Sequence, residues 1–184
     1  MTERKIRKLI QSSLPIETER LIIRYIEPND AYDMYEYSSI PEVSKYLLWS
    51  PHINLSSTEG YIESLQKRYL RGLYADWAVV LKENGKMIGT CGYASFDYSQ
   101  KQCEIGYVLS PYYRQKGYMT EAVKAVVDLS FNTLNLSKIL LRIISENQPS
   151  INLAKRLGFE YEYSASMIIK DIDRVVDYYF LHNK

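Results

Sequence analysis

The sequence contains few cysteines and histidines and has a net charge close to zero, and each of these features argues against a class of protein. Only two cysteines and two histidines occur among 184 residues, and no HxxxH, CxxC or carboxylate cluster suggests a metal site. We therefore expect no metal cofactor, with the lone His52 and His182 at surface or rim positions. Cys91 and Cys103 fit reduced thiols better than a disulfide framework, and together with the lack of a signal peptide they predict a cytoplasmic location.

Charge and hydropathy argue against two further classes. The formal net charge is +1, so we expect no broad contact with nucleic acid. No apolar run approaches the roughly 18 residues of a membrane span, so we expect no membrane insertion. The first residues, MTERKIRKLIQSS, are basic and lack the apolar segment of a signal peptide. We predict a basic N-terminal arm over residues 1–14, poorly ordered in preference to a short helix over 4–12, and a single domain over residues 15–184.

The apolar periodicity predicts an α/β protein with a mixed sheet. The predicted strands are Leu21–Ile26, Asp76–Lys82, Lys86–Phe96, Cys103–Leu109, Lys138–Ile144, Phe159–Ile169 and Arg174–Leu181. The predicted helices are Ala31–Ser38, one capped by Ser57 or Thr58 and running to about Arg71, one from Met119 along a stripe ending at Leu134, and Ser150–Leu157. Asn29 or Asp30 is expected to cap the first of these helices. The strand Lys138–Ile144 is rich in Ile and Leu and is predicted to be buried on both faces.

The stretch from residue 103 to residue 133 combines a strand, a basic loop and a helix. Residues 103–109 alternate between two faces, and Pro111 ends the strand because it has no N–H to donate. Arg114, Lys116 and Gly117 then precede the helix. A helix start holds anions on its unpaired N–H groups, and glycine lets a ligand come close. The pattern predicts a site for a phosphate-bearing ligand, and a strand–turn–helix with a solvated basic loop is the alternative.

This stretch resembles motif A of the GNAT (GCN5-related) N-acetyltransferases, Gln/Arg-x-x-Gly-x-Gly/Ala. Arg114 and Gly117 match the first and fourth positions, whereas Met119 stands at the sixth, so its side chain has to point away from the ligand. The wider text, EIGYVLSPYYRQKGYMTEA, is similar to the RimJ and RimL ribosomal-protein acetyltransferases, over roughly residues 15–184. The resemblance implies the GNAT fold, a mostly antiparallel central sheet flanked by helices, with acetyl-CoA as co-substrate. The coenzyme-binding residues it implies are Tyr107, Val108, Leu109, Arg114, Gln115, Lys116, Gly117, Tyr118, Met119, Thr120 and Asn147.

A second segment, residues 147–159, extends the resemblance. Asn147, Ser150 and Leu157-Gly158-Phe159 fit the GNAT pattern Asn-x-x-Ala/Ser followed by Leu-Gly-Phe. From the residues alone, Ser150 is a helix cap and the glycine a helix stop. The resemblance implies that Asn147 contacts the pantetheine arm or thioester of acetyl-CoA, and that N–H groups near Val108 and Leu109 bind the thioester carbonyl. Asn147 and Ser150 are thus candidate catalytic residues.

Acetyl transfer to an amine needs a neutral amine and a leaving thiolate, so a base and an acid are sought. Glu104 is the candidate base, acting through water, and a solvated or salt-bridged Glu104 is the alternative. The tyrosine that many GNAT enzymes place before Leu-Gly-Phe is Ala154 here. Ser150, Tyr107, Tyr118 or water remains as the acid.

These features predict an enzyme that moves an acetyl group from acetyl-CoA to a primary amine by direct attack. The acceptor is a protein N-terminus, as for RimJ and RimL, or a small amine such as a polyamine, an amino acid or an aminoglycoside. The alternative from another class is an acyl-CoA-binding module without turnover, which Ala154 favours. A nucleotide-binding protein ranks below both because no Walker or Rossmann glycine pattern is present. A homodimer is a further expectation.

Overall fold

A single mixed sheet forms the centre of the protein in a computed structural model that describes residues 2–71 and 76–183. The strands are β1 Ile16–Glu17, β2 Leu21–Arg24, β3 Asp76–Leu81, β4 Met87–Asp97, β5 Gln102–Leu109, β6 Lys138–Ile144, β7 Glu160–Ile169 and β8 Ile172–His182. The helices are α1 Glu3–Ser13, α2 Ala31–Ser38, α3 Pro41–Ser44, α4 Leu55–Leu70, α5 Tyr118–Asp128 and α6 Gln148–Arg156. Their order along the sheet is β1-β2-β3-β4-β5-β6-β8-β7. The predicted α/β class with a mostly antiparallel sheet is confirmed.

Two apolar cores lie on opposite faces of the sheet, because alternate strand residues point to opposite sides. Along β3, Trp77 and Val79 enter the core under α5, whereas Ala78 and Val80 enter the core under α2 and α4. The predicted apolar stripe is confirmed, and its members are all buried, namely Met119, Val123, Val126, Val127, Ser130 and Leu134. The α-helix itself ends at Asp128, so Ser130 lies in a π-helical turn, Leu129–Thr133, and Leu134 directly after it.

The N-terminal residues form a helix, so the expectation of a poorly ordered segment is wrong. Helix α1 begins after Thr2, whose hydroxyl accepts a hydrogen bond from the Lys5 N–H. Ile6 and Ile10 are both buried in the core that holds α5. The spacing of these two isoleucines, four apart, is the helical signal that the basic composition hid. The division at residue 14 into an arm and a domain stays a prediction.

Two of the predicted caps are wrong, each because a nearby side chain competes. The Asp30 carboxylate does not cap α2; it accepts hydrogen bonds from the Glu27 N–H at 2.7 Å and from the Arg24 guanidinium at 2.8 Å. Helix α4 is capped by Asn54, three residues before the predicted cap Ser57, because the Asn54 side chain accepts from the Ser57 N–H at 2.9 Å.

Strand β6 is buried on both faces except at its first residue, Lys138, which is half-buried, and at Arg142, whose side chain is 31% exposed. The prediction that the whole strand is buried is therefore wrong at these two positions, of which Arg142 faces the site described below. Cys91 and Cys103 are free and buried, and the register places Tyr107 opposite Cys91, as expected for cysteines that do not pair. Among the described residues, no helix is both long enough and apolar enough to pass through a bilayer.

Candidate active site

Strands β5 and β6 run side by side at one end and then part. They are parallel neighbours over residues 102–104 only, whereas β5 pairs with β4 along its whole length. The Ser110 N–H donates to the Ile88 carbonyl at 2.8 Å. Because the bonding direction alternates along an antiparallel strand, the Val108 N–H also faces β4, while the N–H groups of Tyr107 and Leu109 face the gap. The Val108 N–H is therefore not available as the donor that the sequence suggested.

A cavity of about 250 Å³ opens where the two strands part. It reaches both faces of the sheet and is lined mainly by apolar and aromatic side chains, with a few polar groups between them. The lining residues are Tyr46, Leu47, Leu48, Trp49, Asp76, Thr90, Ala94, Glu104, Ile105, Gly106, Tyr107, Val108, Leu141, Arg142, Ile143, Ile144, Asn147, Ser150, Met167, Ile169 and Val176. The structure thus brings together the predicted site residues Glu104, Tyr107, Val108, Asn147 and Ser150.

Asn147, and not Ser150, caps helix α6. The Asn147 Oδ1 atom accepts from the Ser150 N–H at 3.4 Å, so the expectation that Ser150 supplies the cap is wrong. An asparagine at this position binds the helix start with its oxygen. Its Nδ2 atom makes no hydrogen bond with the residues that the structure describes, which leaves two N–H donors on the cavity wall.

Tyr107 places an unpartnered hydroxyl in the cavity. Within the described ranges, its Oη atom is buried and makes no hydrogen bond of normal geometry. Burial raises the pKa of Tyr107 to about 12, and the nearby Ser150 hydroxyl opposes this shift. The Ser150 hydroxyl therefore lies close enough to affect the pKa of Tyr107 but does not form a hydrogen bond of normal geometry with it. A buried polar group without a partner is rare and marks a place for a ligand or water.

The basic loop leads into α5 as predicted for an anion site. Gln115 and Gly117 both have positive φ, 63° and 81°, and the first helical N–H to donate backwards is that of Glu121, to the Gly117 carbonyl at 3.0 Å. The N–H groups of residues 118–120 therefore have no partner within the helix. Arg114, Gln115, Lys116 and Gly117 are exposed.

The side chains at the start of α5 divide between the core and the surface. Met119 is only 5% exposed and packs in the core, so its side chain points away from the anion site, as predicted. Thr120 accepts a hydrogen bond from the Arg156 guanidinium at 3.0 Å. Tyr118 lies beneath the Arg20 guanidinium, 4.5 Å from its ring centre, and does not line the cavity. This position argues against Tyr118 as the acid.

Arg20 holds the loop in place, a role that the sequence did not reveal. Its guanidinium donates to the Lys116 carbonyl at 2.9 Å and to the Glu121 carboxylate at 2.7 Å. Burial acts to raise the pKa of Glu121, and hydrogen bonds from Thr18 and Arg20 overcome it, so that the pKa is lowered. Arg20 comes directly before β2, and nothing in the neighbouring sequence indicates that its carboxylate partner lies 101 residues away.

Glu104 forms an ion pair with Arg142. The two side chains are joined by two hydrogen bonds of 2.7 and 2.9 Å, and the Ser95 hydroxyl donates to Glu104 Oε2 at 3.0 Å. The bond to Glu104 raises the pKa of Arg142. Three donors already occupy most of the acceptor sites of this carboxylate, so it is engaged within the protein and is not free to bind a substrate group. The salt-bridged alternative of the sequence analysis is the one observed.

A second carboxylate, Asp76, also lines the cavity and was missed. It is the first residue of β3, and its Oδ2 atom accepts a hydrogen bond from the Tyr61 hydroxyl at 2.6 Å. In the sequence it appears only as a polar residue at a strand end, where turns and caps usually explain an aspartate.

Comparison with known families decides among the classes left open. A family model described as the acetyltransferase (GNAT) domain matches residues 20–160 of this chain. The chain belongs to the GNAT acetyltransferase family. It is an enzyme of the N-acetyltransferase class, and the predicted resemblance and GNAT fold are confirmed.

Relatives within the GNAT family differ in the acceptors that their names state. The chain is 35% identical over 162 residues to an uncharacterized N-acetyltransferase, p20, of Bacillus licheniformis, covering 88% of this chain and 91% of the relative. It is 25% identical over 142 residues to the spermidine N(1)-acetyltransferase of Escherichia coli K12, covering 76% and 73%. The structure of a putative ribosomal-protein-serine acetyltransferase from Vibrio cholerae has a TM-score of 0.80 at 21% identity, covering 91% and 96%, which is a likeness of fold.

Proposed function

We propose that this GNAT enzyme uses acetyl-CoA as its donor and binds it across the gap between β5 and β6. The observation that carries the proposal is the continuity of three features. These are the unpaired N–H groups at the start of α5, the N–H groups of Tyr107 and Leu109 that face the gap, and the cavity that ends at Asn147 and Ser150. Together they form a path of donors suited to a long ligand with phosphates at one end.

The anion end of this path fits a pyrophosphate. At Gly117, the position of a Cβ atom would lie 3.4 Å from the Arg20 guanidinium, and the φ of 81° is unfavourable for other residues. The bare glycine therefore leaves the backbone open to a ligand. Arg114 and Lys116 add positive charge beside it, which an anion compensates. The positive side chains of Arg114 and Lys116 and the bare backbone at Gly117 thus match the charge and shape of a pyrophosphate group.

The cavity end fits the transfer chemistry. Bound acetyl-CoA supplies a thioester carbonyl carbon, which the amine attacks. The Leu109 N–H and the Asn147 Nδ2 group are donors placed to bind its carbonyl oxygen and pantetheine amides. The Tyr107 hydroxyl remains protonated at neutral pH because burial raises its pKa to about 12, and it is placed to donate to the leaving sulfur with Ser150 beside it.

Tyr107 also removes the argument for a module without turnover. That alternative rested on Ala154, which is fully buried in the core and does not line the cavity. The unpartnered Tyr107 hydroxyl, which lines the cavity, supplies the proton donor that Ala154 cannot provide. A cytoplasmic location and a homodimer stay predictions, as does the identity of the acceptor between a protein N-terminus and a small amine.

Thermal unfolding with acetyl-CoA, CoA, ATP and NAD in parallel tests the donor. A ligand at a hundredfold over its Kd adds about 2.7 kcal/mol of stability, a rise in midpoint of roughly 5–10 °C for this chain length. We expect this rise with both coenzymes and not with ATP or NAD. Gly117→Glu should abolish it, since the new side chain puts bulk and negative charge at the pyrophosphate position. A Gly117→Glu variant that binds acetyl-CoA like the wild type would show that the anion site is wrongly assigned.

A further inference from the structure

The Asp76 carboxylate lies in the cavity without a cationic partner. The cavity holds three charged side chains, Asp76, Glu104 and Arg142. Arg142 donates two hydrogen bonds to the Glu104 carboxylate, so these two charges compensate each other. Within residues 2–71 and 76–183, no lysine or arginine forms an ion pair with Asp76, and its recorded side-chain partner is the Tyr61 hydroxyl. The charged lining thus carries one negative charge in excess.

The sheet register places Asp76 in line with the reacting end of the gap. Asp76 is opposite Gly92 on β4, and Gly92 is opposite Gly106 on β5. Residues opposite each other point to the same face, and neighbouring strands lie about 4.8 Å apart, so Asp76 and Gly106 are roughly 10 Å apart at their Cα atoms. Neither glycine has a side chain to separate the carboxylate from the gap. At Gly106 a Cβ atom would lie 3.8 Å from the Ala94 Cβ atom, in ordinary contact, so the Ala94 methyl group is the side chain that borders this part of the gap.

Two tyrosines hold Asp76 in position. Tyr61 donates to its carboxylate, and the Tyr69 hydroxyl donates to its carbonyl. Asp76 itself is half-buried, so one side of its carboxylate remains accessible from the cavity. Burial, then the charge of Asp76, raises the pKa of Tyr37, whose buried hydroxyl has no partner among the described residues.

We propose that Asp76, and not Glu104, receives the ammonium group of the acceptor and takes its first proton. We infer from the same charges that the acceptor is a small primary amine without a carboxylate. The lining has no free cation to bind an acceptor carboxylate, and its excess charge favours a cation. A volume of about 250 Å³ is below the range of drug-sized sites and suits a small molecule. This inference rests on the proposed use of acetyl-CoA.

The proton balance follows from these positions. One proton passes from the ammonium to Asp76 and on to water, which leaves a neutral amine with a free electron pair. The nitrogen–carbon bond then forms at the thioester carbon as the carbon–sulfur bond breaks. The second proton leaves the nitrogen for water, and the sulfur departs as a thiolate that takes up one proton from Tyr107, which water then reprotonates. Each turnover yields an amide and a thiol and releases one proton net.

The variant Asp76→Asn, assayed for thiol release with n-butylamine, tests the role of the carboxylate. General-base catalysis contributes about 10²–10⁴-fold, so we expect kcat/KM to fall at least 100-fold, mainly in kcat. Methoxyamine, which is largely neutral at the assay pH, should lose much less. Asp76→Glu should recover part of the activity. The matched control is Asp128→Asn, an exposed aspartate at the end of α5, which should leave turnover unchanged.

Each result supports or overturns the inference. The role of Asp76 is overturned if kcat/KM of Asp76→Asn for butylamine is within threefold of the wild-type value. It is also overturned if the variant loses as much kcat/KM with methoxyamine as with butylamine. Glu104→Gln should be less stable but retain more activity than Asp76→Asn, and the reverse order also overturns it. Thermal stabilisation by acetyl-CoA is measured for the wild type and for Asp76→Asn. If both are stabilised, a contrary activity result overturns the role of Asp76 alone. If the wild type is not stabilised, the proposed donor is wrong.

The acceptor class is tested on the wild type alone, so it does not depend on the folding of a variant. Butylamine and 4-aminobutanoate differ by the carboxylate. We expect kcat/KM to be at least tenfold higher for butylamine. A ratio of one or less, or a wild type that binds acetyl-CoA and acetylates neither compound, overturns the inference, whether or not a peptide N-terminus is acetylated.

Discussion

Gly89 lies on β4 opposite the end of β5 that faces the gap between β5 and β6. Its register partner is Leu109. A Cβ atom built on Gly89 would lie 2.1 Å from the Val108 carbonyl oxygen and 3.0 Å from the Leu109 Cα. Both of these atoms belong to the backbone, so no side-chain rotation relieves the contact. We therefore expect Gly89→Ala to displace β5.

The size of the displacement follows from the distances. Ordinary contact with a Cβ atom begins at 3.4 Å, against 2.1 Å here, so the two strands must separate locally by about 1.3 Å. Inserting a methyl group into a well-packed site costs about 1–3 kcal/mol. A misplacement of about 1 Å at a catalytic site lowers rates by about 10²-fold. The displaced segment carries the N–H groups that face the gap, so we expect kcat/KM to fall by about that factor.

The assay compares Gly89→Ala with Gly60→Ala by thermal unfolding and by thiol release with acetyl-CoA and an amine. Gly60 lies within α4 and would have no atom within 4 Å of a new Cβ, so its replacement should stabilise the helix by about 0.5–1 kcal/mol and leave activity intact. Gly89→Ala should lower the midpoint by roughly 2–10 °C. If Gly89→Ala unfolds and turns over like the wild type, the close approach of β4 and β5 is not as described.

Two further predictions concern side chains on the path. Tyr107→Phe removes a hydroxyl that has no hydrogen bond among the described residues, so stability and acetyl-CoA affinity should hardly change while kcat falls about 10- to 100-fold; an unchanged kcat would exclude Tyr107 as the acid. Burial acts to raise the pKa of Glu121, but hydrogen bonds from Thr18 and Arg20 lower it. The ionised carboxylate therefore stabilises the fold fully above its ordinary pKa of about 4.5, and this stabilisation is lost as the pH falls through the lowered pKa. Glu121→Gln should therefore cost about 1–2 kcal/mol at pH 7, discounted for the exposure of Arg20. The difference in urea midpoint should close as the pH falls through the lowered pKa of Glu121, and a constant difference contradicts this reasoning.

Local signals account for the parts of the fold that the sequence predicted well. Helix α2 and strand β6 have the predicted bounds, Ala31–Ser38 and Lys138–Ile144. In both segments the periodicity and the residues at the ends agree, so neighbouring residues decide the structure. The loop before α5 was predicted from a glycine and two basic residues, because a helix start and a positive φ leave a mark on the sequence within a few positions.

Contacts between distant residues account for the parts that were not predicted. Glu104 and Arg142 are 38 positions apart, and each looks solvated in its own strand. The register of β5 with β6 makes them neighbours, and this register ends after three residue pairs. No property of residues 105–109 announces that the strands part there. The choice between a free base and a salt bridge therefore required the structure.

The glycines of β4 and β5 show how a strand sequence carries information about the site that periodicity misses. Glycine weakens a strand, so its presence inside one indicates a bulge or a close approach. Gly89 permits a close approach that a methyl group would prevent, whereas a methyl group at Gly106 would only make ordinary contact with Ala94. Gly89 thus sets the distance between the two strands, and Gly106 adds no side chain of its own to the cavity wall. The two glycines look alike in the sequence, and only the contacts between strands distinguish them.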